Sequence, residues 1–145
     1  MGLIQTFALE EPELTEFDDV WAKYRTIAKE GFSASSVDVI GDLHAQMCMV
    51  LAHKEMQLGL KEATLDALNV KKQLTYAQIY FRLSQEETKI TDKLKEQAAT
   101  SHQDYIEQLE RWLGMKGEYT VLKAEVAALE TATGGLSREL SKRLK

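Results

Sequence analysis

The only proline of this chain is Pro12, so no later residue locks φ or removes a backbone donor, and nothing forces a long helix to stop. That missing punctuation constrains the fold more than any motif. Between residues 37 and 83, Leu43, Met47, Leu51, Leu58, Leu65, Leu68 and Tyr76 recur at helical spacing and mark a buried side. An unbroken helix over 37–83 would be about 70 Å long, with Gly41 and Gly59 as places for a bend or a close crossing. A helix of that length cannot cover its own apolar stripe. It needs a partner.

The last long helix, predicted over 102–143 with Thr100 or Ser101 as its cap, supplies one. Its stripe runs Leu109, Trp112, Lys116, Tyr119, Leu122, Val126, Leu129, Thr133, Leu136, Leu140 and Arg143 in alternating steps of three and four. This is the heptad spacing that packs helices side by side. By itself the stretch GEYTVLKAEVAALE (117–130) fits the inside of a helical domain as well as the seam of an assembly. Tyr119, Leu122, Val126 and Leu129 are expected at the middle of a seam with the long second helix, and assembly contacts are expected toward Leu136 and Leu140. Trp112 completes the set assigned to oligomerisation. Gly134 and Gly135 each cost about 1 kcal/mol against alanine in a helix, so a kink there is expected to leave residues 136–145 as a separately mobile basic end.

The remaining elements follow from local signals. Residues 1–12 form an apolar arm with Ile4 and Phe7, expected to dock on its own or a neighbouring subunit. Residues 13–30 read as a helix with a one-sided stripe ended by Gly31. The serines of GFSASS (31–36) and Asp38 suit the start of the second helix. SQEETKITD (84–92) reads as a turn with Ser84 or Thr91 as cap candidates, followed by a short helix over 92–99. At 145 residues the expectation is one domain. The fold class is all-α: a long antiparallel helical hairpin with a short N-terminal helix and arm. Because two long helices expose more apolar face than one hairpin covers, the hairpin is expected to assemble into a homo-oligomer.

With 28% charged residues and no low-complexity tract, the chain should be ordered rather than solvated coil. Cys48 stands alone and the N-terminus carries no secretory pattern, so a reducing cytoplasm is the expected location. The longest apolar run, MCMVLA (47–52), is far short of the ~20 residues that span a bilayer, so no membrane partner is expected. MGLIQT meets the spacing of a myristoylation site at Gly2 and Thr6, but the pattern is short, and a docking arm is the preferred reading. His44 and Cys48 lie one turn apart, yet a zinc site needs three or four ligands, and His53 and His102 lie elsewhere. No phosphate loop, dinucleotide fingerprint or nucleophile beside a base is present. The expectation is no metal, no cofactor and no catalytic residue; an enzyme would need a site assembled from several subunits.

The net charge is −5, but residues 1–30 carry seven acids against Lys23, Arg25 and Lys29, while 136–145 carry Arg138, Lys142, Arg143 and Lys145 against Glu139. An acidic head and a basic tail can attract each other between subunits, or the tail can meet phosphate. Lys71 and Lys72 precede Tyr76, Tyr80, Phe81 and Arg82, and Lys89, Lys93 and Lys95 follow the turn. Cations that track phosphates beside flat rings that stack bases are what single-stranded nucleic acid requires. The same residues also fit a blander arrangement, in which Tyr76 and Tyr80 complete the core and the lysines keep the surface soluble.

The order of features over about 37–143, with the aromatic pair Tyr80–Phe81 and then KITDKLKEQAATSHQDYIEQLERWLGMKGEYTVLKAEVAALE, resembles the UvsY-type recombination mediators of tailed phages and their prophage relatives. The resemblance implies a non-enzymatic, ring-forming protein. Such a protein binds single-stranded DNA and helps load a strand-exchange recombinase onto DNA covered by the single-strand binding protein, in the host-cell cytoplasm. The family places basic side chains shortly before the aromatic pair; here Lys71 and Lys72 are the nearest matches, with Gln73, Thr75 and Gln78 in the intervening turns. The DNA-contacting set is therefore Lys71, Lys72, Arg82, Lys89 and Lys93 for phosphate and Tyr80 or Phe81 for stacking. The alternative is a coiled-coil structural or adaptor protein of phage assembly that recruits protein and does not bind DNA.

Overall fold

A computed structural model describes residues 14–86 and 90–144. Its elements are α1 (Leu14–Glu30), a 3-10 turn (Phe32–Ala34), α2 (Val37–Gln85), α3 (Asp92–Ser101) and α4 (Gln103–Arg143). The protein is all-α, with no strand among the described residues. The arm with Ile4 and Phe7, and Lys89, lie outside the described residues. Two compact units divide the chain: one joins residues up to Gln57 with those from Leu122 onward, the other is Leu58–Val121. Both boundaries fall inside helices, α2 and α4.

The caps explain where the helices begin and end. α1 stops at Gly31, whose φ of 93° lies in the region only glycine adopts without strain. α2 starts where the Ser36 hydroxyl accepts the Val39 amide at 3.2 Å, with Asp38 in the first turn. Thr91 does the same for α3, accepting the Leu94 amide at 3.3 Å. The start of α4 differs from the sequence expectation. The hydroxyls of Thr100 and Ser101 donate back to the Glu96 and Gln97 carbonyls, inside α3. The His102 ring takes over as cap, its Nδ1 accepting the Asp104 amide at 3.1 Å.

The first unit has a closed core. Ile40, Leu43, Met47 and Val50 of α2 cluster with Leu129, Ala132 and Leu136 of α4, and Phe17, Val20, Trp21, Tyr24 and Ile27 of α1 pack against them. The rings of Phe17, Trp21, Tyr24 and Phe32 continue one another at centroid spacings of 6.4, 5.3 and 6.1 Å. Lys54 lies 4.7 Å over the Phe17 ring and pairs with Glu125 at 3.2 Å.

The glycine pair does not break α4, which runs unbroken to Arg143. A Cβ at Gly135 would stand 4.0 Å from the Phe32 ring, in ordinary van der Waals contact, so the ring packs beside this turn of the helix without needing the glycine. Three residues beyond it are anchored. Leu136 is fully buried, Leu140 packs on the core, and the Arg143 guanidinium donates to the Phe32 and Ser35 carbonyls and to Glu139. One basic side chain of the tail thus satisfies the carbonyls of the 3-10 turn.

Candidate nucleic-acid interface

Among the described residues of the second unit, Ile79 and Ala99 are the buried apolar ones. Its other inward side chains, among them Leu58, Leu65, Leu68, Lys72 and Tyr76 of α2, are half-buried. Rings and cations hold this unit together. Lys72 and Lys116 lie 4.2 and 4.6 Å from the Trp112 ring centre, on its π cloud. Tyr76 meets Tyr105 edge-on at 5.7 Å and stacks on Tyr80 at 6.2 Å.

Tyr80 is occupied further. Its hydroxyl donates to Asp92 Oδ1 at 3.3 Å, and Lys95, which also pairs with Asp92, stands 5.9 Å over its ring. Partial removal from water, then the Asp92 charge and its hydrogen bond, raise the Tyr80 phenol above its ordinary value. Tyr80 therefore stays a neutral donor that ties the end of α2 to the start of α3.

Phe81 faces the other way. It is 62% exposed and lines a shallow depression of about 430 Å3 with Gln78 and Arg82. Lys71, Gln78 and Arg82 fall on one line of α2, at steps of seven and four residues, and all three are exposed. Lys93 is exposed on the first turn of α3.

Of the expected DNA-contacting residues, Lys71, Phe81 and Arg82 thus share an open surface with Gln78, which the sequence reading had treated only as a departure from the family pattern. Lys72 and Tyr80 are committed to Trp112 and to Tyr76 with Asp92, so the aromatic pair divides: one ring is packed and one is offered. Leu122, Val126, Leu129 and Leu136 are buried in the chain's own first unit and Leu140 is packed on its core. Trp112 carries its two lysines, and Tyr119 is half-buried. The heptad of α4 is therefore used at least in part inside one chain, where Leu129 and Leu136 cluster with residues of α2.

His44 and Cys48 approach to 3.6 Å (Nε2 to Sγ), and no group of three or more metal-ligating side chains occurs among the described residues. No described helix is long and apolar enough to cross a membrane. No protein family, curated protein or solved structure matches this chain.

Proposed function

We propose that the protein is a non-enzymatic recombination mediator that binds single-stranded DNA along α2 of the second unit and assists loading of a strand-exchange recombinase on strands covered by single-strand binding protein. The two long helices form an antiparallel hairpin in this reading, and the protein self-assembles. The observation that carries the DNA part is the exposed Phe81 in its depression with Gln78 and Arg82. A base stacks on the ring, the amide reaches a base edge, and Arg82 and Lys71 follow the phosphates. The handover to a recombinase is supported by the sequence resemblance alone.

Fluorescence anisotropy of a labelled oligothymidylate, at about 50 and 200 mM salt, tests it. Binding is expected at low salt and weakens steeply as salt rises, because phosphate contacts release counterions. Base–aromatic stacking is worth about 1–3 kcal/mol, so Phe81→Ala should weaken binding at least about fivefold while helicity stays constant. Lys71→Ala should weaken binding and flatten the salt dependence, whereas Tyr80→Phe should change affinity little. A flat titration at low salt would overturn the DNA reading in favour of a protein-recruiting adaptor.

A further inference from the structure

In the first unit a groove stays open between α1 and α4. Phe17 and Trp21 form one wall and Ala124 and Ala128 the other, around a volume of about 320 Å3 that Leu129 and Glu125 also line. Each wall is a pair four residues apart, one helical turn, so two rings stand opposite two methyl groups and leave a gap. Both alanines are exposed, whereas Leu129 belongs to the core. The charge in the lining is already matched: Glu125 pairs with Lys54 at 3.2 Å, and the Lys54 ammonium lies 4.7 Å over the Phe17 ring. A polar occupant would therefore meet carbon walls and no unpaired charge, while an apolar one would leave water.

We infer that the occupant is the chain's own N-terminal segment, with Phe7 seated between the two walls and Ile4 beside it. Composition is the first reason. Residues 1–9, MGLIQTFAL, carry no charged side chain and supply Leu3, Ile4, Phe7 and Leu9, and the acids begin only at Glu10. Phe7 brings a third ring to a wall made of rings.

Reach is the second. Phe7 precedes Leu14, the first residue of α1, by seven positions, up to about 24 Å of chain. Trp21 follows Leu14 by the same number of positions, about 10 Å along the helix. The segment is thus long enough to double back onto the groove. Glu11 stands before Pro12 and is biased away from helical backbone, which favours a change of direction over a continuation of α1. The tether is the third reason. A short linker holds a segment near its site at an effective concentration of about millimolar, so this segment outcompetes a free partner of equal affinity. The segment then completes the cover that α1 begins over the first core, and this holds with or without DNA binding.

Trp21 reports on the groove. In chains carrying Trp112→Phe it is the remaining tryptophan. Replacing Ile4→Asp and Phe7→Asp together should shift its emission to longer wavelength and raise its quenching by acrylamide, with circular dichroism unchanged. The position is read from full chains carrying Cys48→Ser and two new cysteines. Ala8→Cys, which leaves Phe7 in place, should form a disulfide with Ala128→Cys on mild oxidation, at the single-chain mass of 16.4 kDa. Ala22→Cys is the control, because Ala22 is exposed on another side of α1 with Asp19 and Lys23. It lies as close to the tether as Trp21 and should link to Ala8→Cys far less. Unchanged Trp21 emission and quenching in the double aspartate chain would overturn the inference, as would equal linking at Ala22 and Ala128. Links formed only between chains would overturn it in favour of the same segment from a second copy.

Discussion

The two units use the same two helices in opposite ways. In the first, α2 turns Ile40, Leu43, Met47 and Val50 toward α4, and α1 closes over both. In the second, α2 meets α4 through half-buried residues and ring contacts, and Leu60, Val70 and Leu74 of α2 are more than half exposed. Among the described elements none covers that side as α1 covers the first core. The lesson is that a third helix with a full apolar face, as α1 has in Phe17, Val20, Trp21, Tyr24 and Ile27, closes a core, whereas the short α3, with Ala99 as its buried residue, does not.

The sharpest way to break the comparison is to remove one leucine from each unit. Leu136→Ala empties a fully buried site of the first unit and should cost about 2–5 kcal/mol. Leu74→Ala removes an exposed side chain and should stay within about 0.5 kcal/mol. Urea melts at sub-micromolar protein measure both, and equal losses would mean that the two faces are equally buried. A smaller effect tests whether the glycine pair is a hinge. A Cβ at Gly134 meets only the flexible Arg138 guanidinium, at 3.5 Å, so Gly134→Ala should stabilise the first unit by about 1 kcal/mol. A loss of stability would instead assign the glycine to a bend.

The smallest effect concerns the aromatic tie of the second unit. The neutral Tyr80 phenol is favoured by folding, so its contribution is fully present below the unfolded value of about 10 and is lost as pH rises through the raised folded value. Wild-type protein should therefore lose stability above about pH 10 more steeply than Tyr80→Phe, which has no phenol to ionise. Thermal melts across that range check it, and parallel curves would show that the Asp92 contact contributes nothing.

Much of this architecture is legible locally. Gly31, Ser36 and Thr91 act where their residue types predict, because a cap involves neighbours three or four positions away. The inward stripe of α2 is legible for the same reason. The cap of α4 was misread at Thr100 and Ser101 because a hydroxyl inside a helix can donate one turn back, and the sequence does not say which bond it makes. The site at Phe81 was half legible: its composition marks cations beside rings, yet only packing shows that Tyr80 is used and Phe81 is open.

The sequence by itself determined that the chain is helical, where α1 ends and where α2 and α3 begin, and that α2 and α4 carry long apolar faces, since these depend on local hydrogen bonding and a fixed helical repeat. Tertiary structure alone decided which face each helix spends inside its own unit. The heptad of α4 met α2 and became core, and Arg143 bonded to carbonyls more than a hundred residues away in sequence. Periodicity describes the side of a helix that wants a neighbour; only the packing of distant segments says whether that neighbour is already in the chain.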